Sequence, residues 1–207
     1  YTYVPEDDNK DNAYVEFNLS DYDKKDSELI YYSSVEEAIL NSPLNTENEE
    51  FSVPEDFLNH VDEILHIWNG KQYDTIFYRA GSDNDPVQGF VMARCKKQVE
   101  EATVQYAFMN ATPVTTKADS ILISDITELI HSSLKLSDFQ QDLNPNYPDT
   151  RFVFGYAHDK EIYSLEVEGQ KPDGVIEINV YDRTMYLWYY DDLKSDKRGN
   201  NLSYSVD

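Results

Sequence analysis

Glu63-Ile64-Leu65-His66-Ile67-Trp68-Asn69-Gly70-Lys71-Gln72-Tyr73-Asp74-Thr75-Ile76-Phe77-Tyr78 is the stretch on which the fold turns. Asn-Gly suits a two-residue hairpin loop best, because a type I′ turn needs positive φ at both central residues. Asn69-Gly70 therefore predicts that 63–68 and 73–78 pair antiparallel. A competing helical signal enters from upstream. Ser52-Val53-Pro54-Glu55 forms a capping box with proline at the first helical position. Phe57, Leu58, Val61, Ile64, Leu65 and Trp68 then follow a helical period. We assign 54 to about 61 to a helix and the rest to the hairpin. The alternative is one helix to Trp68, capped by Gly70.

Working outward, the hairpin gains neighbours on its C-terminal side. Gly81-Ser82-Asp83-Asn84-Asp85-Pro86 is a loop between the strand ending near Ala80 and a strand over 88–96. Residues 98–101 link that strand to Thr103-Val104-Gln105-Tyr106-Ala107-Phe108. Four successive strands with short links predict an antiparallel meander over 62–110. On the N-terminal side, Ser34-Val35-Glu36-Glu37-Ala38-Ile39-Leu40 predicts a short helix with a Ser34/Glu37 capping box, ended by Pro43.

Residues 111–150 are less regular. A helix is expected to start at Asp125-Ile126-Thr127-Glu128 with Ser124 as its cap, and Asn144-Pro145-Asn146-Tyr147-Pro148 is a loop. The last third is cleanly β. Strands are expected over 151–157 and 162–167, joined by a turn at His158-Asp159-Lys160. After a turn from Gly169 to Gly174, 175–181 and 185–190 form a hairpin whose first strand alternates Ile176, Ile178, Val180 against Glu177, Asn179. The fold class is α+β, mainly antiparallel β meanders with two or three short helices. Residues 1–30 read as an acidic leader or tether with one strand at Tyr14-Val15-Glu16-Phe17. Residues 31–193 form a β-rich globular domain, divisible into 31–117 and 118–193, and 194–207 are a polar tail expected to fray.

Forty acidic residues face seventeen basic ones, a formal charge of −23. Nucleic acid and anionic membrane surfaces both demand the opposite sign, so neither is an expected partner. Hydrophobic residues at 40 % and aromatics at 14 % nevertheless supply a core. Cys95 is the single cysteine, so no internal disulfide and no Cys/His zinc pattern exists. Alternation puts it on the apolar face with Val91 and Ala93, opposite Arg94 and Lys96, as a small core residue. No apolar run reaches the length of a membrane-spanning helix. The chain begins with Tyr1 rather than Met, which reads as loss of an upstream segment, either by processing or by recombinant design.

Val153-Phe154-Gly155 is an aromatic-glycine strand, Leu165-Glu166-Val167-Glu168-Gly169 ends a short strand, and Met185-Tyr186-Leu187-Trp188-Tyr189-Tyr190 is a final aromatic strand. With Thr75-Ile76-Phe77-Tyr78-Arg79 and Gly89-Phe90-Val91-Met92-Ala93, this pattern resembles small uncharacterised lipoproteins exported by Gram-positive bacteria. The resemblance spans about half the chain. It implies an extracellular, cell-surface location, with the precursor anchored through a lipidated N-terminus that has been removed, and it carries over no catalytic residue.

Candidate sites are few. His60, His66, His131 and His158 lack metal-ligand spacing and read as scattered surface residues. Asp191-Asp192 is the most suggestive carboxylate pair, although a glycosidase needs two acids facing across a cleft. Asp83 and Asp85 alternate oxygen ligands in a loop and are the candidate calcium ligands, without the glycine and distal glutamate of an EF-hand. Tyr186, Trp188 and Tyr190 share one face of the last strand. They are the candidate binding patch for an unknown protein or glycan, with core packing as the competing reading. The expected function is a noncatalytic, surface-tethered binding or interaction module. The alternatives are a secreted carboxylate-dependent hydrolase and an acidic inhibitor of a basic protein.

Overall fold

The computed structural model describes residues 1–4, 25–42, 57–81, 88–115, 125–142, 151–180 and 183–207. In chain order the strands are β1 (Thr2–Tyr3), β2 (Tyr31–Tyr32), β3 (Val61–Asn69), β4 (Tyr73–Ala80), β5 (Gly89–Glu100), β6 (Thr103–Thr115), β7 (Val153–Ala157), β8 (Glu166–Val167), β9 (Gly174–Val180), β10 (Arg183–Tyr190) and β11 (Tyr204–Ser205). Among the described residues the α-helices are α1 (Val35–Asn41) and α2 (Ile126–Asp142). The architecture is therefore α+β with antiparallel sheets. The chain divides into two compact units, Ser20–Ser120 and Tyr1–Leu19 with Ile121–Asp207.

In the Ser20–Ser120 unit the predicted meander is present, in the order β2-β6-β5-β4-β3. The Asn69-Gly70 hairpin wins over the long helix. Among the described residues of the helix expected over 54–61, Phe57–Asn59 form a 3-10 turn and β3 starts at Val61. Residues 52–56, with their capping box, lie outside the described residues. The reason is tertiary: Val61, Ile64 and Ile67 reach the core from a strand whose register shifts twice against β4. Each shift re-aims side chains that strict alternation would send outward.

Helix α1 lays Val35, Ala38 and Ile39 on the sheet face formed by Ile76, Tyr78, Ala80, Val91, Ala93, Cys95 and Phe108. Ser34 caps it by accepting the Glu37 N–H at 3.2 Å. Glu37 returns its carboxylate to Ser33 rather than to Ser34, accepting the Ser33 N–H at 3.2 Å and hydroxyl at 2.6 Å. Asn59 closes the other end, its Nδ2 donating to the carbonyls of Ile39 at 2.6 Å and Ser42 at 3.0 Å. Those are the carbonyls a helix end leaves without partners. The opposite face of β4 and β5 is buried too, through Thr75, Phe77, Arg79, Phe90, Met92 and Arg94.

In the second unit, β10 is the middle strand of β7-β10-β9, and β11 joins β1 to β8 in a small sheet. Helix α2 packs on β7 and is the helix expected to start at Asp125. Its first turn is tied by Asp125, which accepts the Thr127 N–H at 2.8 Å. The predicted cap, Ser124, lies outside the described residues. Ser137 of α2 guards the edge strand β7: its hydroxyl accepts the Phe154 N–H at 3.0 Å and lies 2.9 Å from the Phe154 carbonyl. Among the described residues no strand lies on this side of β7, and the Ser137 side chain takes its place. The close approach depends on Gly155, where a Cβ would meet Trp188 Cζ2 at 2.3 Å and Ser133 Cβ at 2.5 Å.

Two local expectations are corrected here. Residues 162–167 do not pair with β7. A 3-10 helix at Lys160–Ser164, opened by Asp159 accepting the Glu161 N–H, turns Ile162 and Leu165 into the core. Only Glu166–Val167 is strand, and it pairs with β11. Nor does the tail fray beyond Leu193. Leu202, Tyr204 and Val206 are buried, and the amino group of Tyr1 donates to the Val206 carbonyl at 2.5 Å. Within the expected 1–30 leader, Thr2 and Tyr3 pair with Ser205 and Tyr204, and residues 5–24 lie outside the described residues. The strand predicted at 14–17 lies outside the described residues.

Candidate functional site

The predicted aromatic patch is core. Tyr186, Trp188 and Tyr190 alternate onto one face of β10 as expected, but they are 2 %, 0 % and 2 % exposed. They pack with Ile130 and Leu134 of α2, and Trp188 meets Tyr190 edge-on at 6.2 Å. The Tyr190 hydroxyl donates to the Gln170 carbonyl at 2.8 Å and accepts the Val167 N–H at 3.2 Å. Burial holds its pKa well above the ordinary phenol value. Met185 and Leu187 bury the other face of the strand. The reason is position: β10 is central, and a central strand is covered on both sides. The candidate calcium ligands Asp83 and Asp85 lie outside the described residues.

The carboxylates that the second unit gathers are tied to its own backbone and cations. Asp192 accepts the Arg151 N–H at 3.1 Å and pairs with Lys194, while Asp191 donates its N–H to Asp173 at 2.7 Å. Asp138 pairs with Arg151 at 2.5 Å and Arg198 at 3.8 Å. Glu168, at a positive φ of 50°, accepts the Ser203 N–H at 2.5 Å, its hydroxyl at 2.8 Å, and Lys197 Nζ at 3.0 Å. Burial by itself would raise the Glu168 carboxyl, but these donors outweigh it and hold the pKa below the usual range. Asp192 is lowered in the same way, with Lys194 and the Arg151 N–H opposing burial. These contacts fasten the C-terminal segment.

In the other unit, sequence alternation hides a buried acid. Asp74 follows the same parity as Ile76 and Tyr78, so it enters the face under α1 with Cys95 opposite it across β4 and β5. It is 1 % exposed, accepts the Gly70 N–H at 3.0 Å and pairs with Lys97 Nζ at 2.8 Å. Burial raises its pKa, against the lowering effect of Lys97 and the Gly70 N–H. Burial, with the Asp74 charge beside it, pushes the Cys95 thiol up to about 12. Such a thiol stays protonated and inert at neutral pH. Lys97 reaches Asp74 only in the observed register, since a one-residue slip would send Asp74 to the other face. The signal was in the sequence: a carboxylate at an apolar parity position.

His66 packs edge-on against Trp68 at 4.7 Å and His131 against Tyr3 at 5.4 Å, while His60 and His158 are exposed. Among the described residues no group of three or more His, Cys, Asp or Glu is arranged to hold a metal, and no helix is long and apolar enough to cross a membrane.

One surface feature escaped the sequence altogether. β5 and β6 run on past their neighbours as a two-stranded arm. β4 last pairs at Tyr73↔Lys96, and β2 at Tyr32↔Tyr106. Beyond these the ladder continues through Gln98↔Gln105, Val99↔Val104 and Glu100↔Thr103. Val99 and Val104 are 67 % and 37 % exposed. Parity with Val91, Ala93 and Cys95 marks Val99 as inward, but the core stops short of it. No protein-family model, curated protein or solved structure matches this chain.

Proposed function

We propose that this chain is a noncatalytic binding protein that works outside the cytoplasm, recognising a cationic partner through its surface. One observation carries the reading. The ionisable side chains that the fold draws together are spent on each other: Asp74 on Lys97, Asp138 on Arg151, Glu168 on Lys197 and Ser203. Groups saturated in this way position backbone and are poor acids, bases or nucleophiles. The formal charge of −23 then acts at the surface, where it steers cationic partners and repels copies of the chain. The likeness to exported Gram-positive lipoproteins supports the location.

Fractionation of the native host tests the location, with the protein expected in the cell-envelope or secreted fraction; recovery from the cytoplasm refutes it. Capture of partners at low and high salt tests the binding. The retained protein should be basic and should elute as ionic strength rises. Retention that is indifferent to salt would count against a charge-selected partner.

A further inference from the structure

We infer that the end of the β5–β6 arm is the partner-docking surface, and that its occupant is a basic protein segment carrying apolar side chains. The inference rests on the binding reading above and gives it a place. Val99 and Val104 face each other across the ladder, so their side chains share one face of the ribbon and form an exposed apolar pair. That face continues the parity of Val91, Ala93 and Cys95, yet the pair lies beyond the last residues of β4 and β2 that pair with the arm. The outer edges of 98–100 and 103–105 have no strand beside them among the described residues. An apolar ribbon with open edges is a template for another chain.

Charge selects the occupant. The two lysines at the base of the arm are neutralised, Lys96 by Asp26 at 2.6 Å and Lys97 by Asp74 at 2.8 Å. At the tip, Glu100 and Glu101 pair with no cation among the described residues; Glu100 accepts only from Gln98. Glu36 lies close enough to Tyr106 to raise its pKa, after burial and with Asp74 and Cys95, so acid also flanks the base of the valine face. A second copy of the chain would bring its own −23 to this acidic rim and be repelled. A segment alternating basic and apolar residues satisfies both features at once.

The turn adds a further sign. Glu101 and Ala102 hold φ of 46° and 70° in a two-residue loop that normally takes Asn-Gly. Residues with a Cβ are strained there, and such strain gathers at binding sites.

The test uses the full chain and three short peptides, alternating lysine and valine, lysine and serine, or glutamate and valine. Calorimetric titration should show the lysine–valine peptide binding about tenfold or more tightly than either of the others. Hydrogen exchange at residues 98–105 should slow on binding. Val99→Thr with Val104→Thr keeps the β-branched shape and should weaken the lysine–valine peptide about tenfold or more, leaving the weak lysine–serine binding unchanged. Glu100→Gln with Glu101→Gln should weaken both basic peptides and reduce their salt dependence. This second variant decides the matter if the first fails to fold. Equal binding by wild type and a folded arm variant, protection away from 98–105, or no binding at millimolar peptide overturns the inference. Equal binding by the variant would leave the binding reading standing; that reading falls separately, on the fractionation and salt-elution results.

Discussion

Gly155→Ala tests the packing of α2 on β7 with a single methyl group. The added Cβ would sit 2.3 Å from Trp188 Cζ2 and 2.5 Å from both Cβ and Oγ of Ser133. Ordinary carbon contacts lie near 3.5–4.0 Å, so each neighbour must retreat by roughly 1 Å. Neither can do so freely. Trp188 is fully buried within the core, and Ser133 is 4 % exposed on the helix face that Ser137 ties to β7. Overpacking of this kind costs about 1–3 kcal/mol, and two immobile neighbours place this case toward the top of that range. Removing a glycine returns about 0.4–1 kcal/mol by restricting the unfolded chain. The expected net loss is about 2 kcal/mol, which lowers the thermal midpoint of a chain this size by roughly 4–8 °C. Because the chain forms two units, native-state hydrogen exchange is the assay of choice, with faster exchange expected in 151–157 and 126–138. A double-mutant cycle with Ser133→Gly should show the two substitutions coupled by more than about 0.5 kcal/mol. A Gly155→Ala protein as stable as wild type, or more stable, would refute the steric reasoning.

Three further outcomes follow from the same geometry. Ser137→Ala removes the acceptor of the buried Phe154 N–H and should cost about 1–3 kcal/mol by denaturant titration, against near neutrality if water takes its place. Glu168 has a depressed folded pKa, so its stabilisation is present above the unfolded carboxylate value and is lost as pH falls through the folded one. Glu168→Gln should therefore destabilise most at neutral pH and converge with wild type in acid; a pH-independent difference between them would contradict this. Cys95 should resist a thiol reagent at pH 8 in the native state and react fully on unfolding, since burial pushes its pKa up to about 12. Rapid labelling of the folded protein would show the thiol to be reachable.

Much of this fold is local in origin, and local order is what a sequence displays. Asn69-Gly70 specifies its hairpin because the turn chemistry is complete within two residues. Ser34 announces α1 because a cap is a contact between residues three apart. Alternation alone set the faces of β10 and the inward direction of Cys95. The acidic balance, too, is a property of composition.

What the sequence left undecided depends on partners distant along the chain. Whether Tyr186, Trp188 and Tyr190 met solvent or core turned on β10 lying between β7 and β9, which no local period encodes. Residues 162–167 have strand-like composition, yet they coil because Ile162 and Leu165 are needed in the core and β11 claims only the last two residues. The polar tail is ordered through Glu168, Asp138 and Tyr1, residues up to about two hundred positions away. Val99 and Val104 have the parity of core residues, and only the lengths of β4 and β2 decide that they project beyond it. Side-chain direction is inherited from the strand itself, whereas exposure is conferred by whatever other segments the fold brings alongside.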